Sequence, residues 1–446
     1  MARAWFGTDG IRGVANDRLT PDLALRVGRA AALRLREQTA SPVLLIGRDT
    51  RRSGTMLEDA LAAGIASAGG HAVRLGVLPT PAVARAVLDD GADGGIVISA
   101  SHNPYPDNGI KLFGADGFKL LDAEEEAVES LLDAAGALPT GADVGTTAAR
   151  EGAADAYADW VADIAACDLG GMRVVVDCAH GAATAIAARL FERLGAAAEL
   201  VACAPDGVNI NVGCGSTHLD AVAAAVTASG AELGIAFDGD ADRVLLVDHL
   251  GQPVDGDHIL AILAADLLAR DALPGRRVVL TSMANLGAHH ALRALGCAIE
   301  VTDVGDRYVL EAMRRDGAAL GGEQSGHVIA LGHQTTGDGP LTAALLLAAL
   351  QRSGQTLAEA ARAVEKFPQE LVSVQARREG LGGCTPLHEA IAAAEQDLGD
   401  EGRIVVRASG TEPLVRVMVE ARDPARCAAI AAELVAIVER ELPVAG

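Results

Sequence analysis

Short runs of aliphatic residues alternate along the chain with longer stretches rich in Ala and Leu. Val43–Ile46, Arg173–Val176 and Arg277–Leu280 are three such runs, and each leads through a polar loop into a helical pattern. A buried strand followed by a loop and a helix is the sequence form of a βα unit. Because the three openings lie about a domain apart, they predict three similar α/β domains in tandem.

The last part of the chain has a different pattern. Arg403–Arg407 and Leu414–Val419 flank a polar turn, and an Ala-rich helical stretch follows from about Pro424. Two strands, a loop and a covering helix predict a small α+β domain at the C-terminal end.

Local signals place the first helix and the first boundary. Thr20-Pro21-Asp22 supplies a capping hydroxyl, a first-turn Pro and an acid, so we expect a helix to begin there. Residues 136–152 are rich in Gly, Ala and Thr without apolar periodicity, and are predicted to form a loop or linker. The predicted fold is therefore α/β, with domains at 1–150, 151–254, 255–367 and 368–446.

The charge and hydropathy of the chain argue against two kinds of binding partner, nucleic acids and membranes. The chain has 446 residues and a formal net charge of -23, which would repel nucleic acid and anionic membranes. Its longest apolar run, near Leu341–Leu350, is too short to cross a bilayer, and its start lacks the pattern of a signal peptide. The seven cysteines include no CxxC pair and fit reduced thiols. We expect a cytoplasmic protein with no nucleic-acid or membrane partner.

The first of four loops with candidate chemistry follows the strand pattern Gly95–Ile98. Ser101 stands there beside His102, and two prolines nearby stiffen the turn. Such a position presents a hydroxyl at a fixed angle, as a nucleophile requires. The alternative is a turn in which Ser, Asn and Pro serve backbone geometry alone. No G-x-S-x-G elbow surrounds the serine, so an α/β-hydrolase nucleophile is excluded.

The second loop, Asp238-Gly-Asp-Ala-Asp-Arg243, follows the apolar run Leu233–Phe237. Alternating carboxylates can converge on one hard divalent cation, and Mg²⁺ accepts such a partial oxygen shell when a phosphate completes it. Repulsion among three acids disfavours this loop without a metal. It is not an EF-hand, because Arg243 stands where that loop requires Gly. A solvated acidic turn is the alternative.

The third and fourth loops carry groups suited to a phosphosugar. In Gly321–His327, Glu323 and Ser325 offer an acceptor and a donor for sugar hydroxyls, although an ordinary Gly turn is the alternative. In Arg407–Pro413 and at Arg416 just beyond, guanidinium groups, hydroxyls and a Gly-freed backbone amide suit a phosphate dianion. A charged hairpin turn is the alternative there.

Four loops of these types, in this order and one per predicted domain, resemble the α-D-phosphohexomutase family. The resemblance covers essentially the whole chain. Within that family, four segments are most similar to enzymes acting on glucosamine phosphate: Phe6–Gly13, Ser99–Ser101, Val304–Val309 and Gly322–His327.

The resemblance implies a role for each candidate residue. Ser101 would be the phosphorylated serine, and it would bind Mg²⁺ together with Asp238, Asp240 and Asp242. Glu323 and Ser325 would contact the sugar. The other implied substrate-binding residues are Asp306, Arg307, Arg407, Ser409, Gly410, Thr411 and Arg416. The other implied catalytic residues are Arg12 and Arg243, which would stabilise negative charge, and His102, Lys111 and His327, which would include the acid and base groups.

The implied reaction interconverts glucosamine 6-phosphate and glucosamine 1-phosphate through phosphoserine and a bound glucosamine 1,6-bisphosphate. The bisphosphate must turn over without escaping, so the resemblance implies four domains around a central cleft, in a monomer or a homodimer. Alternatives are a phosphomannomutase or phosphoglucomutase of the same family, or a phosphosugar-binding protein without activity. A phosphatase using Asp238 as nucleophile would require Thr or Val where Asp242 stands.

Overall fold

In a computed structural model, the residues described are 4–7, 9–133, 137–408 and 414–443. They fall into two compact units, Met1–Thr281 with Glu300–Ala363, and Ser282–Ile299 with Val364–Gly446. The strands are β1 (Phe6–Gly7), β2 (Gly10–Val14), β3 (Val43–Arg48), β4 (His71–Val77), β5 (Gly94–Ile98), β6 (Asp107–Gly114), β7 (Thr147–Ala149), β8 (Arg173–Asp177), β9 (Ala197–Val201), β10 (Leu233–Phe237), β11 (Val244–Asp248), β12 (Pro253–Val254), β13 (Arg277–Thr281), β14 (Ala298–Thr302), β15 (Leu320–Gly322), β16 (Val328–Ala330), β17 (Gln369–Gln375), β18 (Gly402–Ala408) and β19 (Leu414–Ala421).

The helices connect and cover these strands. They are α1 (Pro21–Leu35), α2 (Gly54–Ser67), α3 (Thr80–Asp90), α4 (Asp122–Ser130), α5 (Ala153–Ala165), α6 (Ala187–Arg193), α7 (Asp220–Ser229), α8 (Gly256–Ala269), α9 (Leu286–Ala294), α10 (Asp306–Asp316), α11 (Gly339–Ser353), α12 (Leu357–Ala361), α13 (Thr385–Leu398) and α14 (Pro424–Glu441). Among the described residues, no helix is both long and apolar enough to span a bilayer.

The first sheet has the order β1-β2-β6-β5-β3-β4-β7. Its centre is parallel, because β3 pairs in parallel with both β4 and β5, whereas β6 pairs antiparallel with β5. Helix α1 begins at Pro21 as predicted, and the Thr20 side chain accepts a hydrogen bond of 3.2 Å from the Leu23 amide. Its apolar face packs with α2 over this sheet, with Val27, Leu61 and Ile96 fully buried.

The second sheet repeats this plan. In the order β12-β11-β10-β8-β9, strands β8, β9 and β10 are parallel and β11 runs antiparallel to β10. In the third sheet β13 and β15 are parallel, and β16 runs antiparallel to β15. The three βα openings in the sequence are thus real, and the predicted α/β class is confirmed.

The candidate loops of the first unit occupy equivalent places in these sheets. Each joins two neighbouring antiparallel strands, and the residue pairs that flank the loops are Ile98 with Ile110, Phe237 with Val244, and Gly322 with Val328. A loop between antiparallel neighbours has both ends anchored by main-chain hydrogen bonds, so its side chains are held more closely than in a long crossover.

The second unit contains the predicted C-terminal domain. Its sheet has the order β17-β19-β18, and all pairs are antiparallel. Helices α13 and α14 cover it, with Leu387 and Leu434 among the buried residues. The two strands and the final helix were predicted, whereas β17 and α13 were not.

One local prediction was wrong in part. The linker expected at 136–152 contains strand β7, which pairs in parallel with β4 at the edge of the first sheet. Its three residues are exposed, so the pairing uses main-chain groups and leaves no apolar periodicity in the sequence. The four domain boundaries stay predictions.

Candidate active site

Ser101 lies in the loop between β5 and β6 and is 1% exposed. Its Oγ donates a hydrogen bond of 2.6 Å to Asp238 Oδ2, in the loop between β10 and β11. The backbone at Ser101 has a φ of 53°, a region that non-glycine residues seldom adopt. The candidate nucleophile and the acidic loop, far apart in sequence, are therefore in direct contact.

A buried arginine holds the serine loop in this conformation. Arg51 follows β3, and its guanidinium donates to the main-chain oxygens of Ser101 and Asn103 at 2.9 and 2.8 Å. Its Nε donates to Asp49 Oδ2 at 2.8 Å, and the same oxygen accepts from Ser99 Oγ at 2.6 Å. Since Arg51 is fully buried and satisfied, it fixes the loop by a charge-assisted network.

The acidic loop brings three carboxylates together. Single oxygen atoms of Asp238, Asp240 and Asp242 all lie within 4.8 Å of one another, and the three side chains are buried. Gly239 stands between Asp238 and Asp240 in the sequence, and a Cβ on it would lie 2.5 Å from the Ser101 carbonyl oxygen. Only glycine allows the two loops to approach so closely.

The carboxylate oxygens of these three acids do not all accept hydrogen bonds from the described residues. Asp240 Oδ1 and Asp242 Oδ1 are buried and have no hydrogen-bond donor among the described residues. Burial raises the pKa of the Asp238 carboxyl well above its ordinary value, and the charges of Asp242 and Asp240 raise it further. Buried carboxylate oxygens that lack donors cost free energy, and a hard cation such as Mg²⁺ removes that cost. The donor set therefore fits Mg²⁺.

Lys111 lies on β6 beside these acids and is almost fully buried. Its Nζ lies 2.9 Å from Asp240 Oδ2, 3.4 Å from Asp242 Oδ2 and 3.5 Å from Asp9 Oδ2. Burial alone would lower the pKa of Lys111, but the charges of Asp240, Asp9 and Asp242 outweigh it and hold this pKa well above the ordinary value. The side chain is therefore an ammonium group that offsets part of the acidic charge.

Two histidines lie next to the candidate serine and the acidic loop, and their pKa values shift in opposite directions. His102 Nδ1 is 3.4 Å from Ser101 Oγ, and burial, with the charges of Arg243 and Arg12, lowers the pKa of His102 to about 4. His327 Nδ1 is 3.8 Å from Asp242 Oδ2. Burial would lower the pKa of His327, but the nearby carboxylates of Asp242 and Asp306 outweigh it and raise this pKa. His102 is thus neutral near pH 7.

The two predicted arginines also face this cluster. The Arg243 amide donates to Asp238 Oδ1 at 3.2 Å, and its Nε lies 3.8 Å from Asp242 Oδ1. Arg12, on β2, forms an ion pair with Asp9, which lies 3.5 Å from Lys111. Both guanidinium groups therefore contribute positive charge near the serine and the acids.

The predicted sugar loop joins the acidic loop through the backbone. The Val244 amide donates to the Gly326 carbonyl at 3.1 Å. Glu323 Oε1 accepts a hydrogen bond of 3.0 Å from the Gly305 amide, and Ser325 Oγ lies 3.4 Å from Glu323 Oε2. The sugar loop is therefore joined by a main-chain bond to the strand that follows the acidic loop, and the Gly305 amide orients Glu323.

Asp306 and Arg307, at the start of α10, have different surroundings. Asp306 forms an ion pair with Lys119, and its Oδ2 is 3.9 Å from His327 Nε2. Arg307 forms ion pairs with Asp122 and Glu311. Both residues line one cavity together with Lys111 and His327.

The predicted phosphate loop lies in the second unit. Arg407 on β18 and Arg416 on β19 are paired across the two antiparallel strands. Ser409, Gly410 and Thr411 lie outside the described residues.

Sequence reasoning missed several residues that shape the site. Arg51 and Asp49 hold the serine loop, and Asn211 donates to the Ser101 carbonyl at 2.9 Å. Thr80 donates to Asp240 of the acidic loop, and Lys119 donates to Asp9. The polar Gly47-Arg-Asp-Thr-Arg51 loop after a buried strand was a usable signal, whereas nothing local to Thr80 indicates its partner.

With the geometry known, the chain can be compared with characterised families. Models of phosphoglucomutase/phosphomannomutase match it along nearly its whole length: α/β/α domain I at 3–138, domain II at 155–251, domain III at 255–367 and the C-terminal domain at 352–437. The chain therefore belongs to the phosphoglucomutase/phosphomannomutase family, which is a family of mutases, and the predicted resemblance is confirmed.

Particular relatives narrow the comparison. Phosphoglucosamine mutase of Desulforudis audaxviator is 51% identical over 439 residues, or 98% of each chain. A phosphoglucomutase/phosphomannomutase family protein of Burkholderia thailandensis has a similar structure, with a TM-score of 0.84, 28% identity, and 98% and 99% of the two chains covered. N-acetylphosphoglucosamine mutase of Aspergillus fumigatus, solved with GlcNAc-6P and magnesium, shares the fold at a TM-score of 0.69 and 19% identity over 98% and 95% of the chains.

Proposed function

We propose that this chain is a phosphosugar mutase that interconverts glucosamine 6-phosphate and glucosamine 1-phosphate. The observation that carries the proposal is the hydrogen bond of 2.6 Å between Ser101 Oγ and Asp238, in a buried cluster of three acids. A serine hydroxyl beside a divalent-cation site is the equipment for phosphoryl transfer through phosphoserine. The name of the relatives that are about half identical supports glucosamine phosphate as the substrate.

Mg²⁺ is the proposed cofactor. Asp238, Asp240 and Asp242 would hold it together with a phosphoserine oxygen at Ser101, and the two carboxylate oxygens without donors support this set. When bound, the cation neutralises charge on the phosphoryl oxygens that develops during transfer.

The proposed reaction has two transfers. The bond between Ser101 Oγ and phosphorus breaks, a bond from phosphorus to the free sugar hydroxyl forms, and the hydroxyl proton passes to a base. The product is glucosamine 1,6-bisphosphate, which turns over and returns its other phosphoryl group to Ser101. Arg12 and Arg243 stabilise negative charge in both transfers, because Arg243 lies 3.8 Å from Asp242 and Arg12 pairs with Asp9, which is 3.5 Å from Lys111.

Other residues hold the sugar phosphate or move its proton. Glu323 and Ser325 bind sugar hydroxyls, with Asp306 and Arg307 as further substrate-binding residues. His102, Lys111 and His327 include the proton-transfer groups, since each lies within 4 Å of Ser101 or of an acidic-loop carboxylate. The proposed residues for the non-reacting phosphate are Arg407, Ser409, Gly410, Thr411 and Arg416.

Substrate selectivity is a separate test. We expect kcat/KM to be highest for glucosamine 6-phosphate. Glucose and mannose 6-phosphates should give lower but measurable values, because the three sugars differ only at carbon 2 and share their phosphate contacts. Higher kcat/KM for mannose or glucose phosphate would instead identify a phosphomannomutase or phosphoglucomutase.

Intact-protein mass spectrometry with an isomerisation assay tests the nucleophile. We expect wild-type protein incubated with the bisphosphate to become about 80 Da heavier, the mass of one phosphoryl group. Ser101→Ala should stay at its unmodified mass and lose isomerisation. Ser130→Ala, at an exposed serine on α4, is the matched control and should behave as wild type. Phosphate on the Ser101→Ala protein, or retained activity, would refute the proposal.

A further inference from the structure

We propose that Thr80 is a positioning residue that orients the carboxylate of Asp240 for a divalent cation. The inference rests on the proposed function, because it takes the acidic loop as the Mg²⁺ site. It concerns a residue of the first sheet's layer that acts on a loop of the second sheet.

Thr80 contacts Asp240 through both its side chain and its backbone. Its Oγ1 donates to Asp240 Oδ2 at 2.6 Å, and its amide donates to the Asp240 main-chain carbonyl at 2.9 Å. Thr80 is fully buried, so water does not compete for either bond. Two bonds from one residue restrict both the backbone and the side chain of Asp240.

These contacts leave one carboxylate oxygen for a cation. Asp240 Oδ2 accepts from Thr80 and also from Lys111 Nζ at 2.9 Å. Asp240 Oδ1 is buried and has no hydrogen-bond donor among the described residues. A carboxylate with two donors on one oxygen and none on the other is prepared to bind a cation through a single atom. Hydrogen bonds to a metal ligand of this kind set its orientation and tune metal affinity.

A purely local role for the Thr80 hydroxyl does not fit the structure. A threonine between Pro79 and Pro81 at the start of a helix usually suggests a cap. Here Pro79 is the N-cap residue of α3, and no side-chain capping bond forms there. The hydroxyl instead bonds a residue 160 positions away in the sequence. Its one described use is thus to hold Asp240.

The test compares Thr80→Val, which keeps the shape but removes the hydroxyl, with Thr80→Ser, which keeps the hydroxyl. Full-length protein freed of metal with EDTA is titrated with Mn²⁺, and free Mn²⁺ is measured by electron paramagnetic resonance. We expect the Mn²⁺ Kd to rise about tenfold in Thr80→Val, and to change no more than about twofold in Thr80→Ser. Thr80→Val should also lose isomerisation activity at low Mg²⁺ concentration and regain it at high Mg²⁺ concentration.

Thr335→Val is the matched control, since Thr335 Oγ1 is also buried and donates at 2.6 Å to a main-chain oxygen, that of Gly117. It should bind Mn²⁺ as wild type does. If Thr80→Val does not fold, Thr80→Ala, which cannot overpack the site, takes its place.

The outcomes separate this inference from the proposed function. Wild-type Mn²⁺ affinity in Thr80→Val overturns the role of Thr80 and leaves the metal site intact. Equal weakening in Thr80→Val and Thr80→Ser also overturns it, because packing and not the hydroxyl would then matter. If the wild type itself binds no Mn²⁺, the metal site of the proposed function fails and the inference falls with it.

Discussion

Asp240 in the first unit and Glu420 in the second are both fully buried carboxylates, but their oxygens are used differently. Glu420 Oε1 accepts from Asn285 Nδ2 at 3.2 Å, and its Oε2 accepts from the Leu286 amide at 3.0 Å and from Arg403 Nε at 2.7 Å. Asp240 has donors on Oδ2 alone, and its Oδ1 has none among the described residues.

The difference separates a structural acid, Glu420, from the proposed metal ligand, Asp240. Both oxygens of Glu420 accept hydrogen bonds from the start of α9 or from β18, so its charge stabilises the second unit. Asp240 has one oxygen without a donor among the described residues, which the proposed cation would use, and two further acids lie beside it. Both side chains are fully buried carboxylates, and what distinguishes them is the number of hydrogen-bond donors on each oxygen.

The largest expected effect is on catalysis at Asp240. Asp240→Asn should lower kcat/KM about a thousandfold or more, because the loss of a cation ligand removes several kcal/mol of charge stabilisation in the transition state. The free energy of unfolding should change by less than about 1 kcal/mol, since an amide oxygen still accepts from Thr80 and Lys111 and the repulsion among the acids falls. Steady-state kinetics and urea unfolding measure the two quantities.

Asp89→Asn is the control for this change, because Asp89 is an exposed acid paired with Arg85 on α3. It should leave both quantities at their wild-type values. Activity above about a tenth of wild type in Asp240→Asn would show that Asp240 is not a metal ligand in the proposed sense.

The next effect is on stability at Glu420. Glu420→Gln should lower the free energy of unfolding by about 2–4 kcal/mol, because the amide group must face a donor and the partly buried Arg403 loses its buried counter-charge. Urea unfolding followed by circular dichroism measures the loss. Asp397→Asn, at an exposed ion pair with Arg426, should cost less than about 1 kcal/mol. Equal effects of the two substitutions would contradict a structural role for Glu420.

A third buried acid, Asp338, accepts hydrogen bonds from neutral donors only among the described residues. Asp338 accepts from Tyr157 Oη at 2.6 Å, the Leu341 amide at 2.8 Å and Gln334 Nε2 at 3.0 Å. Burial raises the pKa of Asp338 to about 6, against the lowering effect of the Tyr157 and Gln334 hydrogen bonds. Hydrogen bonds without an opposite charge thus compensate burial incompletely.

The sign of the resulting pH dependence follows from proton binding. Between the unfolded pKa of 3.8 and the folded pKa of about 6, the native protein binds the Asp338 proton and the unfolded chain does not. The contribution of Asp338 to stability is therefore present below about pH 4 and is lost as pH rises through 6, a change of up to about 3 kcal/mol.

Asp338→Asn isolates this smallest effect. The difference in unfolding free energy between wild type and Asp338→Asn should change between pH 4 and pH 7 in favour of the variant, as measured by urea unfolding at several pH values. Asp89→Asn again serves as the control, and its difference from wild type should be flat over this range. A flat difference for Asp338→Asn would mean that its pKa is ordinary in the folded protein.

Much of the fold was predictable because its signals are local. The helix that begins after Thr20 has its cap and proline in consecutive residues, and three apolar runs followed by polar loops marked the α/β repeats. Strand β7 was not predictable, since its exposed residues pair through main-chain groups alone. The antiparallel partners that close the site loops were also missed, because strand order depends on residues that are distant in the sequence.

The amino-acid pattern alone indicates which side chains stand at strand ends, among them Ser101 and the three acids of the second loop. Spacing and residue type carry that information, because each loop is short and follows its own strand. Which of these groups come into contact depends instead on how the folded chain packs. Three contacts join residues far apart in the chain: Arg51 with the serine loop, Thr80 with Asp240, and Arg307 with Asp122. Strand order within the first sheet sets the Arg51 contact, and packing between separate layers sets the other two, so no local pattern encodes them.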